Sequence, residues 1–376
     1  MKSFSNTVFK RDEQALFALR ELYSQYGYAR YKVSKFEEYD FYARNKSFLV
    51  SERILTFTDT NGRLMALKPD VTLSIIKNVK NDDLSLRKLY YNENVYRPAS
   101  GSDGFREILQ TGLECIGNVD LYQVAEVLSL AKQSLSLIGE ESVLVVSHMG
   151  LLEGLIESIG VSSDDARSLL AAVETKNTQA IGEFAADHGI APEDAAALCR
   201  LTELYAPLEK GLEEIAPLVR GDLMRAAYDE LCAVASLLGG DGEDCGLYLD
   251  FSIVNDMNYY NGIIFRGFVN GIPDGVLSGG RYDRLMEKMN KRAGAIGFAL
   301  YLDLLTQLGG KGEMLDADVL LTYTDGCPAA RVLAVANEQR AGGARVLVLR
   351  DAAQGIRCRT RMQVSEEGVK ILEAND

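Results

Sequence analysis

Residues 88–117 read KLYYNENVYRPASGSDGFREILQTGLECIG, and we expect the rest of the chain to be built around this stretch. Its pattern predicts two long strands joined by a loop, because the middle, Pro98–Gly104, consists of residues that favour turns. On the return strand the two-residue period of a β-strand separates two faces. One face carries Arg106, Ile108, Gln110, Gly112 and Glu114, and the other carries Leu109, Thr111, Leu113 and Cys115.

The polar face of the return strand has two interpretations. Gln110 and Glu114 share it with only Gly112 between them, and Arg97 leads into the loop. A small amine-bearing or zwitterionic ligand could lie flat on such a surface. An antiparallel strand with one solvated face has the same pattern. These residues alone favour the solvated strand, so the choice depends on the rest of the chain.

Length and composition describe an ordinary globular protein. The chain has 376 residues, which is too long for one compact core and predicts two or three domains. It is 47% hydrophobic and 25% charged. The sequence has no run of about 18 apolar residues, and its N-terminus, MKSFSNTVFKRDEQ, lacks the apolar core of a signal peptide. We therefore expect a cytoplasmic protein with no membrane partner.

The reactive residue types are sparse. The six cysteines include no CxxC pair, and the two histidines are His148 and His188. This spacing argues against a zinc site or a disulfide scaffold, and no nucleophile with its base can be assembled. The net charge of −14 repels polyphosphate, which argues against nucleic-acid binding. We expect neither a metal nor a cofactor.

Hydrophobic periodicity predicts the elements before the central strands. Residues 9–26 have helical spacing and are followed by Gly27, a stop signal. TNGR at positions 60–63 lies between two alternating runs and predicts a hairpin. Asp70 then precedes an amphipathic segment that reaches about Val79. Its carboxylate either caps a helix or, together with the Thr72 hydroxyl, meets the amine of a ligand.

Further elements follow the central strands. Helical patterns at 122–137 and 151–159 flank an apolar strand at 142–147, and residues 162–238 predict an insert of several short helices. The sequence then favours a glycine-rich bend around Gly275, Gly279 and Gly280. Residues 295–308 begin with small residues and continue as an apolar helix. After Asp316, a strand, a helix at 329–341 and a second strand predict a β-α-β unit.

Four stretches together resemble the catalytic core of class II histidyl-tRNA synthetases over roughly residues 8–308. They occur in the order of that family and at comparable spacing. The resemblance implies an α+β fold, with a mixed, mainly antiparallel sheet flanked by helices. It also implies a core at 1–309 with a helical insert at about 160–240, a truncated C-terminal α/β segment at 315–376, and a homodimer formed through the core. The four stretches are GRLMALKPDVT, ENVYRP…GFREILQTGLECIG (similar to motif 2), NDMNYYNGIIF (similar to the histidine-binding signature) and LSGGRYDRLM…AIGFALYLDLL (similar to motif 3).

The departures from the synthetase pattern concern ATP. Asn255 stands where the histidine signature has an arginine, and Asp256 stands where it has a glycine. Leu304 replaces the motif 3 arginine that contacts ATP phosphates, and Ser34 replaces the motif 1 proline; the motif 2 loop is also one residue short. Adenylation requires cations fixed on the triphosphate, and neither Asn nor Leu supplies a guanidinium. The resemblance therefore implies that the chain has lost ATP chemistry.

The amino-acid side of the pocket keeps the pattern of the family. Matched position by position, Asp70 and Thr72 fall where the family holds the amino group of the substrate, and Arg97 is the motif 2 arginine. Tyr259 and Tyr260 would point to opposite faces of an extended strand. The resemblance implies that histidine is bound by Asp70, Thr72, Arg97, Gln110, Glu114, Tyr259, Tyr260 and Tyr282.

A sequence that keeps the histidine pocket but lacks the ATP-binding residues resembles a paralogous family, the regulatory subunits of ATP phosphoribosyltransferase. The resemblance implies a non-catalytic subunit that forms a hetero-oligomer with a short-form catalytic subunit. It would activate the first step of histidine biosynthesis and transmit feedback inhibition by histidine. The alternatives are an active histidyl-tRNA synthetase and a stand-alone synthetase-like sensing module. Three questions stay open: whether histidine binds in this pocket or at the subunit interface, the stoichiometry, and the role of the C-terminal segment.

Overall fold

The computed structural model divides the chain into two compact units, residues 1–308 and 309–376. None of the described helices is long and apolar enough to cross a membrane. The structure describes residues 10–49, 53–80, 85–99, 104–239, 245–254, 259–308, 315–350 and 355–374, without the side chains of Ser47, Ser163 and Asp164.

The first unit is an α+β fold built on a large sheet. Its helices are α1 (Arg11–Gln25), α2 (Tyr39–Arg44), α3 (Val71–Lys77), α4 (Leu121–Ile138), α5 (Met149–Ile159), α6 (Ser163–Glu174), α7 (Thr178–His188), α8 (Pro192–Glu203), α9 (Leu208–Ile215), α10 (Gly221–Gly239) and α11 (Asp283–Lys288). Short 3-10 helices cover Lys46–Phe48, Ala216–Leu218 and Leu302–Gln307. Its strands are β1 (Ala29–Arg30), β2 (Phe36–Glu38), β3 (Thr56–Thr58), β4 (Leu64–Leu67), β5 (Arg87–Pro98), β6 (Phe105–Gly117), β7 (Ser142–His148), β8 (Ala206–Pro207), β9 (Leu247–Leu249), β10 (Ile263–Val269), β11 (Leu277–Arg281) and β12 (Gly294–Tyr301).

The nine-stranded sheet of this unit has the order β1-β5-β6-β12-β11-β10-β7-β9-β8. The pairs β1–β5 and β7–β9 are parallel, and the other pairs are antiparallel. The prediction of a mixed, mainly antiparallel sheet flanked by helices is confirmed. A separate three-stranded sheet, β2-β4-β3, contains the predicted hairpin around Gly62.

The strands β5 and β6 are the two long strands predicted for residues 88–117, and they pair along their whole length. The faces of β6 also separate as predicted. Leu113 and Cys115 are buried in a large core with side chains of α1 and α4. Ile108 belongs to a second core on the other face, which also contains residues of α3 and α11. The polar residues Gln110 and Glu114 of that face are buried as well, at 2% and 1% exposure.

The predicted glycine-rich bend is wrong at two of its three glycines, and the predicted apolar helix is wrong in part. Gly275 lies in a bent segment before β11, whereas Gly279 and Gly280 lie inside this strand. A Cβ at Gly280 would come 2.7 Å from the Tyr260 ring, and one at Gly279 would come 2.4 Å from the carbonyl oxygen of Gly297. Glycine is therefore required in the strand for close packing. Residues 295–308 form β12 followed by a 3-10 helix, where an apolar helix was expected.

The second unit has a parallel β-α-β arrangement at its centre, as predicted. The strand β13 pairs in parallel with both β14 and β15, and β16 pairs antiparallel with β15. Val332 and Ala336 of its helix pack on the sheet. Its elements are β13 (Ala317–Tyr323), α12 (Ala329–Ala341), β14 (Val346–Leu349), β15 (Cys358–Val364) and β16 (Val369–Ala374).

Candidate amino-acid site

A cavity of about 380 Å³ lies on the face of the large sheet formed by β5, β6, β11 and β12. All eight residues that the sequence assigned to a ligand line it, which brings together side chains separated by more than two hundred positions. The volume lies at the lower end of the range for small-molecule sites. The lining consists of Phe48, Leu49, Asp70, Thr72, Tyr91, Arg97, Gln110, Glu114, Tyr259, Tyr260, Ser278, Tyr282, Gly297, Phe298, Ala299 and Tyr301.

Gly112 has no side chain, and the space between Gln110 and Glu114 on this face of β6 is filled by another side chain of the protein. Tyr91 lies directly opposite Gly112 in the β5–β6 pair. A Cβ at Gly112 would come 2.6 Å from the Tyr91 hydroxyl and 2.3 Å from the carbonyl oxygen of Phe298. Tyr91 therefore forms the floor between Gln110 and Glu114, so a ligand on this face would lie over Tyr91 and not directly on Gly112.

Glu114 is held by two hydroxyl groups at the base of the cavity. Its Oε1 accepts a hydrogen bond of 2.7 Å from Thr72, and its Oε2 accepts one from the Tyr282 hydroxyl. Gly297 makes room for this carboxyl group, since a Cβ there would lie 2.0 Å from Oε2. Burial raises the pKa of Glu114 from 4.5 to about 8, although both hydrogen bonds act in the opposite direction.

Asp70 caps a helix, which is one of the two roles considered from the sequence, and it also lines the cavity. Its Oδ1 accepts the backbone N–H of Leu73 at 2.8 Å, which caps the N-terminus of α3. Its other oxygen, Oδ2, faces the cavity 3.9 Å from the guanidinium of Arg97. Burial raises the pKa of Asp70, while the charge of Arg97 and the backbone hydrogen bonds oppose this rise.

Arg97 is fixed by neighbours on three sides. Its Nε donates to the carbonyl oxygen of Pro69 at 3.0 Å, Asp70 is nearby, and its guanidinium carbon lies 6.0 Å from the ring centre of Tyr301. Burial opposes the charge, but Tyr301 and Asp70 outweigh it and raise the pKa of Arg97. Within the described lining of the cavity, Arg97 is the one basic side chain.

Gln110 presents an unpaired donor to the cavity. Within the described part of the chain, its Nε2 is buried and has no hydrogen-bond partner. A buried N–H group without a partner costs about 1–3 kcal/mol. A ligand oxygen in the cavity would remove this cost, so Gln110 is ready to bind an acceptor such as a carboxylate.

Three tyrosines form the aromatic wall. The ring centres of Tyr259 and Tyr260 are 4.5 Å apart, and those of Tyr259 and Tyr282 are 6.0 Å apart. Neither Tyr259 nor Tyr260 lies in a strand, so the opposite faces expected for an extended strand do not apply, and both residues line the cavity. Burial raises the pKa of all three hydroxyl groups, so they stay protonated, and that of Tyr282 donates to Glu114.

The positions that departed from the synthetase pattern have different outcomes. Asn255 and Asp256 lie outside the described residues. Leu304 lies in the 3-10 helix after β12 and packs against the large core. Ser34 is near the surface, where its hydroxyl donates to the carbonyl oxygen of Phe36.

Sequence reasoning missed several residues of the cavity. Tyr91 and Tyr301 lie opposite Gly112 and Gln110 in the strand pairing, so the register of β5 and β12 against β6 would have identified them. Phe48 ends the 3-10 helix Lys46–Phe48 and Leu49 follows it, and this segment carries no comparable signal in the sequence.

The fold and the cavity define a class II aminoacyl-tRNA synthetase-like protein. A family model described as histidyl-tRNA synthetase matches residues 4–305. A relative from Caldanaerobacter subterraneus named ATP phosphoribosyltransferase regulatory subunit is 32% identical over 329 residues, which is 84% of each chain. Another of the same name, from Oceanobacillus iheyensis, is 27% identical over 326 residues, or 85% of this chain and 80% of the relative.

Solved structures agree on the fold. One described as an ATP phosphoribosyltransferase regulatory subunit/histidyl-tRNA synthetase from Bacillus halodurans has a TM-score of 0.74 and 21% identity, covering 97% of each chain. One described as an ATP phosphoribosyl transferase (HisG:HisZ) complex from Thermotoga maritima has a TM-score of 0.61 and 21% identity, covering 77% of this chain and 97% of that one. The chain therefore belongs to the histidyl-tRNA synthetase family, within its branch of ATP phosphoribosyltransferase regulatory subunits.

Proposed function

We propose that this chain is the regulatory subunit of an ATP phosphoribosyltransferase and that it binds histidine in the cavity as its signal. It activates a short-form catalytic subunit in the first step of histidine biosynthesis and transmits inhibition by histidine. It works in the cytoplasm, forms a homodimer through the synthetase-like core, and catalyses no reaction itself. The names of the relatives support the role and the partner.

The charges of the cavity carry the proposal. Two carboxyl groups, Asp70 and Glu114, and the unpaired amide of Gln110 match a small ligand with an amino group, an imidazole and a carboxylate. Arg97 is the one basic side chain of the described lining, and it already contacts Pro69 and Asp70. A triphosphate requires several cations, so this set of groups fits an amino acid and does not fit ATP.

The decisive experiment reconstitutes the enzyme. The chain is mixed with a short-form catalytic subunit, and phosphoribosyl-ATP formation is measured with and without histidine. We expect activity to rise when the chain is added and to fall when histidine follows. Absence of activation would overturn the regulatory role. Activation that histidine leaves unchanged would overturn histidine as the signal.

Variants of β6 test the site itself. Glu114→Ala and Gln110→Ala each remove one contact and should weaken histidine binding about tenfold or more, measured by calorimetry. Glu107→Ala is the matched control, because Glu107 is on the same strand but exposed, where it accepts hydrogen bonds from Asn94 and Tyr96. Unchanged affinity in both cavity variants would show that histidine binds elsewhere.

The alternative is an active histidyl-tRNA synthetase, which the family match and the retained cavity favour. Histidine-dependent pyrophosphate exchange separates the two functions, because it needs ATP bound next to the amino acid. We expect no exchange above background from the purified chain. Robust exchange would establish catalysis and overturn the proposal that the subunit is non-catalytic.

A further inference from the structure

The segment Arg281–Arg284, which joins β11 to α11, contacts the cavity and two helices on the far side. Tyr282 points into the cavity and donates its hydroxyl to Glu114. Its backbone N–H donates to the carbonyl oxygen of Ala295 at 2.9 Å. Its neighbours on both sides in the chain make ion pairs outside the cavity, so Tyr282 lies between the ligand site and these ion pairs.

The first connection runs from Arg281 to α10. Arg281 Nε lies 2.7 Å from Asp283, and its NH1 lies 3.6 Å from Oε1 of Glu230 on α10. The other oxygen of Glu230 lies 2.7 Å from Nε2 of His148. The Nδ1 of His148 accepts the backbone N–H of Gly150 and caps α5, so Nε2 carries the proton and donates to Glu230.

The second connection runs from Arg284 to α5. The two terminal nitrogens of Arg284 lie 2.5 and 2.8 Å from the two carboxylate oxygens of Glu153, a bidentate pair. Glu153 is only 4% exposed, whereas 39% of the Arg284 side chain is exposed, so water reaches the pair from the arginine side while the carboxylate stays buried. A displacement of Arg284 would leave a buried carboxylate without its cation, which is costly.

The helices α5 and α10 form a closely packed pair. A Cβ at Gly150 would lie 3.1 Å from the Cβ of Ala227, and one at Gly154 would lie 2.6 Å from Cγ of Met224. Two helices in such contact move together more easily than they separate. The carboxylates of Glu153 and Glu230 thus belong to one packed body that holds both arginines flanking Tyr282.

We propose that Arg281 and Arg284 are positioning residues that couple the amino-acid cavity to the α5–α10 pair. This rests on the proposed function, and it names the route by which the bound amino acid alters the rest of the subunit. Tyr282 is shifted by whatever ligand contacts Glu114, and its flanking arginines transmit the shift to the helices. If ligand binding strengthens the contacts of the two arginines with the helices, then breaking those contacts lowers the affinity of the cavity for its ligand.

The test changes the two glutamates on α5 and α10, which are not among the described residues that line the cavity. Glu153→Gln and Glu230→Gln keep the shape of the side chains and remove their charge. The matched control is Asp194→Asn, which breaks an ion pair of 2.7 Å with Arg220 that does not involve the segment 281–284. We expect both glutamine variants to weaken histidine binding about three- to tenfold, and the control to leave it unchanged.

A second measurement follows α10 directly by amide hydrogen exchange. Histidine should slow the exchange of α10 peptides in the wild type and in Asp194→Asn. It should do so much less in the double variant Glu153→Gln/Glu230→Gln. Equal protection of α10 in the double variant and in the wild type, together with unchanged affinity, would overturn the coupling.

A ligand-free arm separates this proposal from the proposed function. Tyr282→Phe removes the hydroxyl that reaches Glu114, and the coupling predicts that exchange in α10 then rises about threefold or more. The same substitution in the double variant should change α10 little. If the wild type binds no histidine but Tyr282→Phe still alters α10, the histidine signal fails and the coupling stands. If Tyr282→Phe leaves α10 unchanged, the coupling fails.

Discussion

Glu114→Gln should remove the loss of stability that ionisation of Glu114 causes in the first unit as pH rises. Glu114 is buried, and its pKa is raised from 4.5 to about 8 in the folded protein. The native state therefore holds a proton that the unfolded chain releases between these two values. The stability that Glu114 contributes is fully present below about pH 4.5 and is lost as pH rises through about 8.

The size of this effect follows from the two pKa values. Between pH 5 and pH 9, ionisation of Glu114 lowers the free energy of unfolding by about 4 kcal/mol. Glutamine has nearly the same shape and can form hydrogen bonds with both Thr72 and Tyr282, but it does not titrate. The variant should therefore lack this loss, so that its stability relative to the wild type rises by about 4 kcal/mol from pH 5 to pH 9.

The assay is urea unfolding of both proteins at pH 5, 7 and 9. Far-UV circular dichroism is the signal, because the chain contains no Trp. Other titrating groups, such as Asp70, are present in both proteins and largely cancel in the difference. If the two proteins differ by the same amount at pH 5 and pH 9, within about 1 kcal/mol, Glu114 does not titrate as burial requires.

Three further substitutions have expected outcomes in denaturant unfolding. Gly112→Ala should destabilise the fold by about 1–3 kcal/mol, because the added Cβ meets backbone and Tyr91. Gly182→Ala on α7 is the control, since its Cβ has open space and the change should be neutral or stabilising. Equal effects of the two substitutions would contradict the packing at Gly112. Asp70→Ala should lower the free energy of unfolding by about 1 kcal/mol because it removes the helix cap, whereas Asp70→Ser keeps a capping oxygen and should keep the stability. Both variants should bind histidine more weakly. Retained affinity in calorimetry would limit the role of Asp70 to capping. Lys68→Met should cost about 3–5 kcal/mol because it leaves the carboxylate of Glu93 without its buried partner, and a loss below 1 kcal/mol would show that water reaches this pair.

Local patterns were sufficient to predict most of the fold. The alternation along 106–115 gave the two faces of β6, and TNGR gave the small hairpin, where Gly62 has a φ of 79° that favours glycine. The position of Asp70 before an amphipathic segment predicts a cap as one of two roles, and the structure shows that cap. Each of these signals is carried by residues close together in the chain, which is why a single sequence is enough to detect them.

The errors concern contacts between distant parts of the chain. Gly279 and Gly280 predict a bend because glycine breaks local structure. In the structure they lie in a strand, where the absence of a Cβ makes room for Phe298 of β12 and for Tyr260. Tyr91 was missed for the same reason, since its place over Gly112 depends on the register between β5 and β6. Contacts between residues of different strands cannot be predicted from the sequence until it is known which strands pair and in which register.

The cavity is also where the chain departs from the rules of a stable core. Glu114 is buried at the cost of a strongly shifted pKa, and Gln110 leaves a buried donor without a partner among the described residues. A stable fold gains nothing from such groups, whereas a ligand that supplies an acceptor to Gln110 and a donor to Glu114 recovers both costs on binding. The free energy that burial of these two polar groups costs the fold thereby becomes part of the binding free energy, and it favours a ligand that contacts β6 at both positions, four residues apart.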